Sequence, residues 1–145
     1  MSTQIELPVL VTMVESFQPC GVRFNEHGVA TYGYRWTVWN DGGYLEFDVI
    51  CRNGSWGGSS DVASSSWGYG GPIDSSSFKY PTLEACITDM WNRFADTVKR
   101  YEEQKSSSIN YKTKWFNRAK MKYEKFLSLS QEEQLKLFKE VDFYG

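Results

Sequence analysis

Residues 29–52 read VATYGYRWTVWNDGGYLEFDVICR, and their alternation decides the fold. Two runs rich in β-branched and aromatic residues, Val29–Trp39 and Tyr44–Arg52, flank Asn40-Asp41-Gly42-Gly43. That is a strong hairpin signal, because Asn, Asp and Gly tolerate the positive φ that tight hairpin turns require. With Asp41-Gly42 at the tip, Trp39 faces Tyr44, Val38 faces Leu45, Trp36 faces Phe47, Tyr34 faces Val49 and Tyr32 faces Cys51. One face then carries Ala30, Tyr32, Tyr34, Trp36 and Val38 over Leu45, Phe47, Val49 and Cys51, which is a core face. The other pairs Arg35 with Asp48, Thr37 with Glu46 and Thr31 with Arg52, which is a wet face. A slip of one residue would bury the charges, so the register is well specified.

Upstream, residues 8–16, PVLVTMVES, read as a strand, and Val22–Phe24 as a short one before the turn signal Asn25-Glu26-His27-Gly28. A two-residue tip at Glu26-His27 would put Phe24 and Val22 on the wrong face. A longer loop with Gly28 left-handed pairs Phe24 with Ala30 and Val22 with Tyr32, which predicts a glycine bulge. Downstream, residues 53–80 are rich in Ser, Gly and Trp and read as a long loop with room for one short strand. From Thr82 the period becomes helical: Leu83, Ile87, Trp91, Phe94, Val98 and Tyr101 recur on one side. Thr82 serves as N-cap, and residues 81–104 form a helix that packs on the sheet. Ser106–Ser108 break it. A second helix, Tyr111–Leu127, turns Phe116, Ala119, Tyr123 and Phe126 inward, and Ser130-Gln131-Glu132-Glu133 is a capping box opening a third helix with Leu135, Leu137, Phe138 and Val141. Strands followed by helices make an α+β fold. It is an antiparallel sheet of about four to five strands in the N-terminal half, one face covered by the long helix, with a basic helical extension over 105–145. At 145 residues the chain reads as one domain, 1–145.

The net charge of −2 implies no partner by itself, but the halves differ. Residues 1–80 hold four Lys/Arg against eight carboxylates, and residues 81–145 hold twelve against ten. Residues 105–125 alone carry seven Lys/Arg and one carboxylate, Glu124, a pointer to an anionic partner. The three cysteines, Cys20, Cys51 and Cys86, form no C-x-x-C pair. With no secretory signal and no membrane-length apolar run, the expectation is a soluble cytoplasmic protein with reduced thiols and no membrane association.

Four groups of residues are candidates for function. The first is the segment SWGGSSDVASSSWGYGG, Ser55–Gly71. Trp56, Trp67 and Tyr69 can stack on a planar ligand, and the backbone at Gly70 and Gly71 can approach it closely. Arg35, Arg52 and Arg93 can supply charge to a phosphate. The plainer alternative is that the tryptophans cap the sheet edge. The second is Trp39 with Tyr44 near the hairpin tip, read either as a protein-contact patch or as a cross-strand pair stabilising the turn. The third is the basic face Lys112, Lys114, Arg118, Lys122 and Lys125, which suits a nucleic-acid backbone or is simply a solvated helix face. The fourth is chemical. Glu46 and Asp48 lie on one face of a strand about 7 Å apart, a spacing compatible with paired carboxylate catalysis, while Arg35 opposite Asp48 offers an ordinary ion pair instead. His27 is alone in a polar turn, and cysteine spacing fits no zinc pattern. No phosphate-loop or dinucleotide spacing occurs.

In its general make-up (aromatic-rich, mixed α+β, without a catalytic signature) the chain resembles small proteins carried by phages and other mobile elements. That resemblance implies binding and blocking of a host or defence factor, or sequestration of a small molecule. The sequence thus leads to a non-catalytic binding or inhibitor protein, without cofactor or metal, whose Ser/Gly loop takes a nucleotide-like ligand. The alternatives are a protein–protein inhibitor and a nucleic-acid-binding protein. An exposed sheet edge makes a homo-oligomer a further expectation.

Overall fold

The computed structural model describes residues 25–26, 28–40, 43–52, 54–63, 68–104 and 109–143. The hairpin forms as its alternation requires: β1 (Tyr32–Asn40) pairs antiparallel with β2 (Tyr44–Arg52), with Tyr34 opposite Val49, Arg35 opposite Asp48, Trp36 opposite Phe47 and Thr37 opposite Glu46. The tip departs from the expectation. Trp39 stands opposite Leu45 and Asn40 opposite Tyr44, so Val38 is an extra residue in a β-bulge. The reason is burial. Strict alternation would leave Trp39 on the wet face, whereas the bulge buries both Val38 and Trp39. Before β1, Gly28 adopts φ +74°, the left-handed geometry expected of it. The Gly28 N–H donates to the Asn25 carbonyl at 3.0 Å. The expected strands over 8–16 and 22–24, the Asp41-Gly42 tip and His27 lie outside the described residues.

The segment read as a loop holds most of the correction. Ser55–Ala63 is a nine-residue strand, β3, paired along its whole length with β2. Gly68–Tyr69 (β4) and Phe78–Tyr80 (β5) pair with β3 in turn. Serine and glycine have low strand propensity, so local preference conceals β3. It is a strand because β2 offers it a full ladder and because its small residues make room on both faces. An alanine Cβ at Gly58 would come within 2.5 Å of the Cys86 sulfur, and one at Gly57 within 3.1 Å of the Phe78 ring.

Helix α1 (Leu83–Gln104) starts on the expected cap, the Thr82 hydroxyl accepting from the Ala85 N–H at 3.0 Å. It lays Leu83, Cys86, Ile87, Met90, Trp91, Phe94 and Val98 on the sheet. Helix α2 (Ile109–Ser128) closes the core with Ala119, Tyr123 and Phe126, stacking Tyr123 on Trp91 (4.8 Å between centroids) and Phe126 on Trp36 (5.3 Å). The capping box at Ser130 and Glu133 opens α3, which is shorter than expected, Gln131–Lys136. The chain then turns extended, and β6 (Lys139–Asp142) pairs with β1, Tyr34 opposite Glu140 and Arg35 opposite Lys139. Val141, expected on a helix, therefore belongs to the sheet. The unpaired groups of the β1 edge favour a ladder over one more helical turn. The sheet order is β4-β3-β2-β1-β6, with β5 beside β3. The architecture is α+β, and no helix among the described residues is long and apolar enough to cross a membrane.

Candidate functional site

The face of the sheet away from α1 carries the chemistry. Side-chain alternation brings Arg35 and Thr37 of β1, Glu46 and Asp48 of β2, and Ser59 and Asp61 of β3 to one side. Arg35 donates from Nε to Asp48 Oδ1 at 2.7 Å and from Nη2 to Oδ2 at 3.1 Å, a bidentate pair. Glu46 Oε1 lies 3.6 Å from the same Nε, and Glu46 stands opposite Asp61 in the ladder. The Phe143 ring covers the guanidinium, 5.8 Å from its centre. This face is not simply wet. Asp48 is 6% exposed and Ile50 1%, covered by the chain that follows β4 and by Phe143.

A short strap builds the remaining wall. The Ser59 hydroxyl donates to the Gly71 carbonyl. Gly70 passes so close to Asp61 that a Cβ there would overlap its Oδ1. Ile73 is buried, and its carbonyl accepts from the Ala30 N–H at 2.7 Å. Asp74 then caps a 3-10 turn, Ser75–Ser77, and these hydrogen bonds, led by the one from the Ser76 hydroxyl, hold its carboxyl below the usual range. Arg35, Asp48, Asp61, Gly71, Pro72, Ile73 and Phe143 enclose a cavity of about 310 Å³.

One cation stands among three carboxylates there, so the cavity is acidic. Burial pushes the Asp48 carboxyl up from its ordinary value, against the pull of Arg35 and with help from Asp61 and Glu46. Burial raises Asp61 as well, with Arg35 opposing. Both oxygens of Asp48 are held by the guanidinium, whereas Asp61 lines the opening with no arginine fork of its own.

The structure gathers some expected site residues and separates others. Arg35 and Gly71 line the cavity, and Gly70 lies against its Asp61. Trp56 is fully buried on the opposite face, in the core, so it cannot stack on a ligand from a loop. Tyr69 also lies on the helix side, opposite Val62, and Arg93 sits on α1 paired with Asp89 at 3.0 Å. Arg52 ends β2 with its guanidinium 5.8 Å over the Phe78 ring. Trp67 lies outside the described residues. Of the tip pair, Tyr44 is exposed but Trp39 is buried, a consequence of the bulge. Arg118, Lys122 and Lys125 are exposed on α2, while the side chains of Lys112 and Lys114 lie outside the described part. Glu46 and Asp48 do share a face. Asp61 and Phe143 were missed by the sequence reading; the alternation Trp56, Gly58, Ser60, Val62 against Gly57, Ser59, Asp61 was the signal for the first. No protein family, curated protein or solved structure matches the chain.

Proposed function

We propose that this is a non-catalytic binding protein whose ligand occupies the cavity between Arg35, Asp61 and Phe143. The carrying observation is the cavity itself: about 310 Å³, at the lower end of small-molecule sites, with the half-buried Arg35–Asp48 pair in its floor. The nucleotide-like ligand expected from the sequence enters in a different orientation from the one phosphate recognition would need. Arg35 is already committed to Asp48, and two further carboxylates would repel a phosphate. A nucleobase edge or a similar heterocycle bearing N–H donors suits Asp61, and any phosphate then points outward. The non-catalytic reading is supported by Asp48, whose carboxylate is committed to Arg35 through both oxygens.

The test is thermal melting with adenosine, guanosine, cytidine and uridine, each also as its 5′-monophosphate. Saturation at a hundred times Kd raises stability by about 2.7 kcal/mol, a shift of several degrees. We expect an amino-bearing nucleoside to give that shift, its monophosphate to do no better, and Asp61→Ala to abolish it while remaining folded. A shift that survives in Asp61→Ala, or none with any compound, overturns the assignment.

A further inference from the structure

A second hollow, unrelated to the acidic cavity, opens where the end of α2 meets α3 and β1. Its floor is apolar, made of Trp36, Phe126, Leu129 and Leu137, and Lys122 and Lys125 stand on its rim, around about 250 Å³. The basic rim continues along the helix. Arg118, Met121, Lys122 and Lys125 recur three and four residues apart, so they share one flank of α2, and all four are exposed, Met121 at 69%. The acidic group felt at this rim is Glu133, whose carboxylate is engaged by the Ser130 N–H at 3.1 Å.

We propose that this hollow is a docking site for an acidic protein segment that inserts one large apolar side chain. The floor takes the anchor, and the three cations pair with carboxylates flanking it. Buried apolar anchors ringed by charge carry most of the affinity in such contacts, while the rim charges set orientation and on-rate. A phosphate backbone fits less well. It has no group of its own to place on the aromatic floor.

The experiment selects peptides from a random dodecapeptide display library on the immobilised full-length protein. The expected winners share one Leu, Ile, Met or Phe flanked by Asp or Glu. For a synthetic winner, fluorescence anisotropy should show about a tenfold or greater loss of affinity with Lys122→Glu/Lys125→Glu, both on the surface, and a comparable loss when its anchor is replaced by Ser. Asp61→Ala should leave this binding unchanged, which separates it from the cavity ligand. Winners without the pattern, no enrichment, or affinity indifferent to the charge reversal overturn the proposal. So does a short single-stranded oligonucleotide that binds the same lysines more tightly than any selected peptide, which would make the surface a nucleic-acid interface.

Discussion

Arg35 joins more of the site than any other side chain, pairing with Asp48, approaching Glu46 and lying under Phe143. Replacing it with alanine leaves Asp48 buried and uncompensated, so Arg35→Ala should cost about 3 kcal/mol, read as a lower denaturation midpoint in urea. An unchanged midpoint would mean that the pair is solvated. Asp61 has the opposite sign. Its folded-state carboxyl is raised by burial, so the native state holds the proton more readily than the unfolded chain. Its charge therefore costs stability at neutral pH, and that cost disappears on acidification. Asp61→Asn should melt higher than the parent at pH 7. The difference should shrink as pH falls through the raised value and vanish below the ordinary 3.8. A gap that stays constant with pH would assign the gain to something other than charge. The Arg35–Asp48 pair was legible in the sequence because opposite charges met on one hairpin face. Asp61 was not, because the low strand propensity of a Ser/Gly run outweighs the faint alternation within it.

Among the elements, β3 shows how neighbours override propensity. Its glycines admit α1 on one face and Phe78 on the other, with the Cys86 sulfur and the Met90 methyl within 2.5 and 2.9 Å of where a Gly58 Cβ would stand. Gly58→Ala should therefore push the helix outward and cost about 1–3 kcal/mol, measured by chemical denaturation. A neutral effect would show that α1 slides freely. The helices were easier to read. Thr82, the 3.6-residue apolar stripe and the Ser130 box are signals carried within a few residues, and the structure places α1 and the start of α3 where they point. The bulge at Val38 and the strand at Lys139–Asp142 were hidden for one shared reason: each is decided by what lies across the sheet. Trp39 gains a core position only by breaking alternation, and Val141 pairs with Gly33, more than a hundred residues earlier in the chain.

For the molecule as a whole, that long-range pairing protects β1. Remove residues 139–145 and the edge from Tyr32 to Arg35 loses its partner, exposing backbone donors and acceptors that a second chain can satisfy. The truncated protein should form a concentration-dependent dimer on gel filtration while keeping its helical circular dichroism. A monodisperse monomer at high concentration would show that the edge is protected by other means. The same pairing has a consequence in time. A ribosome adds roughly 5–20 residues per second, so about 5 to 20 seconds separate the synthesis of β1 from that of β6. Through that interval the nascent sheet has one unfinished side, and the guanidinium of Arg35 waits without its aromatic cover. Phe143, directly after β6, completes the lining of the cavity, so the hollow exists only once a segment more than a hundred residues beyond Arg35 has been made and docked.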